Sequence, residues 1–514
     1  MKESLGVAKP APTTWTSKLL QAAKLPPTIG MKELLQAASR PEELHKAFAS
    51  DFPIESYSAI IVSHYGNTPK DYNMPEQYRA LQGFNDILPD EQSYWRLIEN
   101  TAVQVAELYG YRRIETPMLE ETSLFRRTTG EGTDLVEKEM YSFDDRPDKE
   151  GKYDNLTLRP EGTAGVVRAY LEHGLFKWPQ PVKLYYISAM FRHEKPQAGR
   201  YREHHQFGCE ALGESDPAID AEIIALLYQF YTQLGLKGIR IELNSIGDQN
   251  CRPAYIERLK DYYRPLLDEC CDDCKMRFVK NPLRLLDCKE PQDQPKIAAA
   301  PKIVDYLCEP CREHFAAVQR FLNIYDVPYT LNPLLVRGLD YYTRTVFEFL
   351  SAAGGRTEAL NGGGRYDGLA ELLGGAPTPG IGFGAGVERI SRELKKQGVK
   401  PPAEEPLRAF VVYFERTPEL KDAAVQVIAQ LRRAGIKAEM SYGDRSRKAQ
   451  MKQANASGAS SIILIGEDEL AGNFVTVTEG RKTWTKDLPA EGLEAERKQV
   501  KVERDKLVEY LKGL

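Results

Sequence analysis

The 514-residue chain has no apolar run approaching the roughly 20 residues that cross a bilayer. The stretch after Met1, MKESLGVAKPAPTT, carries too many prolines and polar residues for the apolar segment of a secretory signal. These absences exclude a helical membrane protein and a secreted, disulfide-stapled one, so a cytoplasmic protein with reduced thiols is expected. A charge excess of one sign is also missing. Lys and Arg total 69 against 74 Asp and Glu, for a net charge of -5. That excludes a generally basic nucleic-acid binder and confines any RNA contact to local patches. Histidine is scarce, with 7 in the chain, which makes three of them between Met190 and Glu210 conspicuous. What remains is ordinary folded protein: 42% apolar and 28% charged. A chain of this length is expected to hold about three or four domains.

Residues 1–75 differ from the rest. Two short amphipathic pieces, KLLQAAK and ELLQAAS, flank Pro26 and Pro27 in a stretch too poor in core residues to pack alone. It reads as a loosely ordered extension, with a docking arm as the alternative and Met74 as a candidate natural start. From Glu91 to Gly110 the periodicity predicts a helix with Trp95, Leu97, Ile98, Ala102, Val105 and Leu108 on its apolar face. YRRIETPMLE alternates like a strand up to Pro117. A helix over 163–173, a hairpin of KLYYISAMFRH and FGCEALG, and a helix over 218–234 follow. Residues 335–349 read as a strand, and GIGFGAGVERI as a strand feeding a helix. After the linker KQGVKPPAEEP, a βαβαβ pattern predicts a small α/β domain with a parallel sheet, closed by a helix over 501–511.

The chemistry concentrates in a few motifs. Arg192 ends an apolar strand, where burial is costly unless the guanidinium meets an anion. The loop after it holds Lys195, Gln197, Arg200 and Arg202, a basic patch suited to a polyanion or simply a solvated hairpin tip. TLRPEGTAG sets Glu161 and Thr163 at a helix start, where Glu161 suits an ammonium group or the helix dipole. VRGLDYY offers Arg337 in a predicted strand. NGGGRYDG offers three glycines that admit a ligand to the backbone or make a tight turn. GIGFGAG alternates small residues, leaving room for a flat ligand or for close helix packing. It lacks the Lys-Ser/Thr of a phosphate-binding loop.

In this order, FRHE, GRYR…HQFGCE, LVRGLDYYTRTVFEF, GGGRYDG and GIGFGAGVERI resemble the class II aminoacyl-tRNA synthetases, and within them the histidyl-tRNA synthetases. The likeness runs from about Tyr78 to the C-terminus. It implies an α+β fold. Residues 76–247 and 333–398 would form a catalytic domain with a six-stranded antiparallel sheet flanked by helices, in place of the parallel sheet that strand–helix alternation alone suggests. Residues 248–332 would form a cysteine-rich helical insertion, and 406–514 an α/β domain that binds the anticodon. The implied reaction joins histidine to ATP as histidyl-adenylate, with Mg2+, and then charges tRNA(His). TPMLE, with Pro117, resembles the motif of a homodimer interface. By the same likeness, Arg192, Arg337 and Arg389 are catalytic. Arg192, Glu194, His204 and Arg389 hold ATP. Glu161, Thr163, Gln206, Glu210, Tyr342 and Tyr366 surround histidine. His204 departs from the family, where phenylalanine often stacks on the adenine. Lys195, Gln197, Arg200 and Arg202 are placed for the acceptor end of the tRNA, and Arg445, Arg447 and Lys448 for the anticodon loop.

Six of the 8 cysteines crowd between Cys270 and Cys311. Cys271 and Cys274 form one CxxC, and Cys308 and Cys311 another. Paired CxxC is a zinc signature, but the gap of about 33 residues is longer than a compact ribbon uses. A single structural zinc on these four, or free buried thiols, are the two readings. Two other functions compete with the synthetase: a silent paralogue serving as regulatory subunit of an ATP phosphoribosyltransferase, and a module that senses uncharged tRNA.

Overall fold

The structure is a computed structural model that describes residues 78–130, 133, 135–147, 149, 151, 153–195, 199–351, 359–403, 405–414, 417–443, 445–479 and 498–514. The 1–75 extension lies outside the described residues, as does Gln197.

The strands in chain order are β1 (Arg112–Arg113), β2 (Leu119–Glu121), β3 (Tyr141–Asp144), β4 (Asn155–Leu158), β5 (Val182–Phe191), β6 (Glu203–Leu212), β7 (Arg240–Ser245), β8 (Thr330–Leu331), β9 (Thr343–Leu350), β10 (Ala359–Arg365) and β11 (Gly380–Gly386). Eight of them form one sheet in the order β1-β5-β6-β11-β10-β9-β7-β8. The six inner strands are all antiparallel, and only the two-residue edges β1 and β8 run parallel to their neighbours. This is the implied antiparallel sheet. β2, β4 and β3 make a separate small sheet. YRRIETPMLE is thus two short strands on two sheets, interrupted at Pro117.

Side chains alternate across a pleated sheet, and register decides which face each one joins. On one face Tyr185, Phe207, Cys209, Phe347, Phe349, Phe383 and Ala385 are buried in the main core. The helix Gln92–Leu108 covers them with Trp95, Ile98, Ala102 and Val105, and the helix Pro217–Gln233 with Ile223, Leu227 and Phe230. Asp216 caps the second helix by accepting from Ala218 N–H at 2.8 Å. Leu108, expected on the apolar face, is the last residue of its helix and is exposed. The helix Glu309–Ile324 joins this same core through Phe315, Val318 and Leu322.

Three expectations need correction. Residues 335–342 are not strand: β9 begins only at Thr343, and the segment before it crosses the other face of the sheet as a loop. The glycines of NGGGRYDG are not a turn but the interior of β10, paired on both sides. In the C-terminal part, β12 (Ala409–Tyr413), β13 (Ala438–Met440) and β14 (Ser461–Ile465) are parallel as expected. However, β15 (Phe474–Glu479) and β16 (Gln499–Glu503) extend the sheet antiparallel. The predicted 501–511 helix is therefore a strand, QVKVE, followed by a short helix Leu507–Gly513. Val500 and Val502 alternate, and strand pairing with β15 overrides helix propensity.

Candidate active site

The second face of the large sheet is built by parity. In β5 and β6, Leu184 pairs with Glu210, Tyr186 with Gly208, Ser188 with Gln206 and Met190 with His204. The even-numbered residues of both strands share one face, and Arg192 follows at the end of the hairpin. In β11, Gly382 pairs with Glu210 and Gly386 with Gln206, and in β10, Gly362 pairs with Gly384. The alternate glycines of GIGFGAG and the run in NGGGRYDG thereby line the same floor, while Ile381, Phe383 and Ala385 point into the helical core. At two places the missing side chain is decisive. A Cβ on Gly382 would overlap the Glu210 carboxylate, and one on Gly362 would overlap the Arg337 guanidinium.

Glu210 is fully buried at one end of this floor. Thr163 Oγ1 donates to its Oε1 at 2.8 Å, Tyr186 OH to the same oxygen at 3.3 Å, and Tyr366 OH to Oε2 at 2.5 Å. Burial pushes its pKa up to about 8 against the pull of the Tyr366 and Thr163 hydroxyls, with the nearby Glu161 adding to the rise. Glu161 is itself buried and accepts from the N–H groups of Thr163 (2.7 Å) and Ala164 (2.8 Å) at the start of the helix Thr163–Glu172. Burial raises its pKa, and those two amides oppose the rise. Tyr341, Tyr342 and Tyr366 close this end, with ring centroids 4.7 and 5.8 Å apart for the 341–342 and 341–366 pairs.

Arg337 comes from the loop that crosses the floor. It is ion-paired with Glu348 of β9 and lies 5.9 Å from the Tyr342 ring centroid. Burial is the largest single influence and works against its charge, but Glu348 together with Tyr342, Asp287 and Tyr341 outweighs it and its pKa is raised. Its Nε is buried without a hydrogen-bond partner among the described residues. The opposite end is cationic. Arg192 Nε donates to Pro160 O at 2.8 Å, and its Nη1 lies 3.8 Å from Glu194. Glu194 also meets Arg200 at 3.2 Å. Arg389, at the start of the helix Val387–Lys396, donates to Gly199 O at 3.0 Å and to Ala359 O. His204 lies between these cations. Burial, then Arg192 and Arg389, push its pKa down to about 3, so the ring is neutral at physiological pH. His204→Phe removes no charge, and we expect kcat to stay within about threefold and the ATP KM to hold or fall. Steady-state kinetics check this, and a large loss would contradict it.

The structure therefore brings together Glu161, Thr163, Arg192, Glu194, His204, Gln206, Glu210, Arg337, Tyr342, Tyr366 and Arg389. Gln206 lies between the two ends, its amide 3.5 Å from His204 Nε2. The other two histidines of that motif lie elsewhere. His205 faces the helical side against Glu388 (2.9 Å) and Trp95, and His193 packs on Tyr141. Lys195 is exposed, and Arg202 donates to Glu194 O at 3.4 Å. Arg445, Arg447 and Lys448 are exposed at the start of the helix Arg447–Ala456, with Arg447 stacked 4.1 Å from the Phe414 ring centroid. Sequence reasoning missed Tyr186 and Glu348. Parity carried a signal for the first, since Tyr186 lies in the strand that ends just before Arg192, an even number of residues away.

The four cysteines proposed for a single zinc do not come together. Cys271 and Cys274 lie with Cys288 and Asp293, whereas Cys308 and Cys311 lie with Asp248 and Cys251. Other residues complete each pair, so the reading of one zinc on these four cysteines does not hold.

A six-stranded antiparallel sheet with arginines gathered at one end of a glycine-lined floor defines a class II aminoacyl-tRNA synthetase. A family model described as Histidyl-tRNA synthetase matches residues 83–247 and 290–390, and one described as Anticodon binding domain matches 408–514. The chain is 47% identical over 422 residues to a histidine–tRNA ligase of Dehalococcoides mccartyi, covering 82% of this chain and 99% of that protein. It is 50% identical over 396 residues to one of Moorella thermoacetica, covering 77% and 92%. The crystal structure of apo histidyl-tRNA synthetase from S. aureus superposes with a TM-score of 0.68 at 38% identity, covering 85% of this chain and 100% of that one. The chain belongs to the histidyl-tRNA synthetase family.

Proposed function

We infer that this protein is a histidine–tRNA ligase, which activates histidine with ATP and transfers it to tRNA(His). The observation that carries this reading is the floor itself: a hydroxyl-ringed carboxylate, Glu210, at one end and guanidiniums at the other. A neutral imidazole offers one N–H and one lone pair. Glu210, with Tyr342 and Tyr366 around it, supplies the acceptor and the hydroxyl groups that tell imidazole from other side chains. Glu161 and Thr163 beside it, and Gln206 farther along β6, would meet the α-amino and carboxylate groups. Attack of the carboxylate on the α-phosphate spreads negative charge over phosphoryl oxygens, and such transfers depend mainly on positioning and electrostatic stabilisation. Arg192 and Arg337 suit that charge at the α-phosphate, and Arg389 the terminal phosphates. Glu194 and His204 would meet the adenine. Mg2+ would neutralise the outgoing pyrophosphate.

Residues 76–247 and 333–398 would be the catalytic domain, 248–332 its insertion and 406–514 the anticodon-binding domain. Exposed Met118, Leu119 and Phe143 on the small sheet beside Pro117 support a homodimer through that face. No described helix is long and apolar enough to cross a membrane, which accords with a place in the cytoplasm. Lys195, Arg200 and Arg202 are offered to the acceptor end. Changing Arg445, Arg447 and Lys448 together to alanine should weaken tRNA binding and flatten its salt dependence, by about 0.7 per lost contact in log Kd against log salt. An unchanged slope in filter binding removes these three from the interface.

Histidine-dependent ATP–pyrophosphate exchange tests the whole reading. Exchange with histidine and with no other amino acid is the expected result. No exchange would leave the silent regulatory paralogue or the tRNA-sensing module instead.

A further inference from the structure

The cysteines that fail to form one quartet form two others. In the first, Asp248, Cys251, Cys308 and Cys311 bring one carboxylate oxygen and three sulfurs within 4.8 Å of one another. Cys251 Sγ is 3.9 Å from Cys311 Sγ and 3.7 Å from Asp248 Oδ1, and Cys308 Sγ is 3.9 Å from the same oxygen. In the second, Cys271, Cys274, Cys288 and Asp293 do the same. Cys271 Sγ is 3.7 Å from Cys288 Sγ, and Cys288 Sγ is 3.3 Å from Asp293 Oδ2.

These spacings have a chemical meaning. Zinc–sulfur bonds of about 2.3 Å and zinc–oxygen bonds of about 2.0 Å at tetrahedral angles put sulfurs about 3.8 Å apart and sulfur about 3.5 Å from oxygen. A disulfide needs about 2.05 Å, and three thiols cannot all pair. The surroundings also fit thiolates. Backbone N–H groups donate to the sulfurs: Cys274 to Cys271 and Glu290 to Cys288 at 3.4 Å, and Asp248 to Cys251 at 3.4 Å. A cation backs each carboxylate, with Arg344 3.3 Å from Asp248 and Lys296 3.6 Å from Asp293 Oδ1. That Asp293 oxygen is buried with no hydrogen bond among the described residues. Three soft sulfurs and one oxygen gathered within 4.8 Å select zinc over the oxygen-seeking Mg2+ and Ca2+.

We propose that each of these two constellations of three cysteines and one aspartate binds a structural Zn2+. All four ligand positions are filled by protein at both centres, which leaves no open position for catalysis. The first centre fastens the start of the helices Arg252–Tyr263 and Glu309–Ile324 to the end of β7. Through Asp248 and Arg344 it reaches the start of β9, and Arg252 beside it donates to Tyr342 O at 2.7 Å. Zinc there braces the loop that carries Arg337 and Tyr342. The second centre closes the segment 271–293 on itself.

Elemental analysis of the full-length chain, purified without chelator and desalted, should find about two zinc ions per chain. Cys308→Ser with Cys311→Ser should lose one, Cys271→Ser with Cys274→Ser the other, and Cys270→Ala neither. Replacing zinc with Co2+ in the intact protein should give the visible bands of tetrahedral, thiolate-bound cobalt. Asp248→Asn and Asp293→Asn should each perturb them, a readout that survives if the cysteine variants fail to fold. Zinc near zero with no cobalt bands overturns the proposal, as does zinc that persists in both double variants. One zinc, lost with one pair alone, overturns the other centre.

Discussion

Arg337→Ala should lower histidine-dependent ATP–pyrophosphate exchange by roughly a thousandfold or more while leaving the melting temperature nearly unchanged. The side chain stands on the glycine floor between Glu210 and the Arg192–Arg389 end, partly buried, with its charge held by Glu348. It therefore has a fixed position before substrate arrives, which is the condition under which a charge stabilises a transition state without reorganisation. Negative charge moves onto the phosphoryl oxygens only as the carboxylate attacks, so the loss should fall more on kcat than on KM. The folded state is less affected because Glu348 retains some solvent access once its partner goes. Arg337→Lys keeps the charge but not the planar fork, and should recover only part of the rate. A loss smaller than about tenfold in Arg337→Ala would remove this residue from the chemistry.

Much of this site was legible before any coordinates, and the parts that were not fail for identifiable reasons. The β5–β6 hairpin and the strand GIGFGAG are local patterns, and local pattern sets their faces. In GIGFGAG the odd-numbered residues pack on helices and the even-numbered glycines line the floor, so the small residues do not serve close helix packing on their own face. Of the two readings of the NGGGRYDG glycines, the tight turn fails, although glycine disfavours strands. Pairing with β9 and β11 imposes the strand, and the absent side chains are what make room for Arg337 and Tyr342. The 335–342 segment reads as strand from its β-branched and aromatic content, yet its residues are spent crossing the floor. The cysteine grouping was beyond spacing arguments altogether, since Cys251 and Cys288 are separated from their CxxC partners by folded chain.

Glu210→Gln should do two opposite things, and the pair of effects identifies the residue's role. The carboxyl is held near pKa 8 by burial, against an ordinary value of 4.5. Below about pH 4.5 folded and unfolded chains both keep the proton, and Glu210 does not penalise the fold. Between 4.5 and 8 only the folded chain keeps it, so stability drains as pH rises, and above 8 the loss is complete. Glutamine does not titrate and avoids that loss. The variant's unfolding free energy should therefore gain on the parent's across this window and level off above it, by a few kcal/mol at most, as denaturant titration at each pH would read. Histidine recognition should move the other way. An imidazole N–H favours the ionised carboxylate, so histidine binding near pH 7 should release a proton, which calorimetry in buffers of different ionisation enthalpy would read. Glutamine offers no anionic acceptor, and kcat/KM for histidine should fall by at least about a hundredfold. A burial site that costs stability and is kept for selection behaves this way. A variant that keeps histidine kinetics within tenfold, or whose stability runs parallel to the parent's at every pH, would show that Glu210 is a hydrogen-bonded core residue and that the imidazole is held elsewhere.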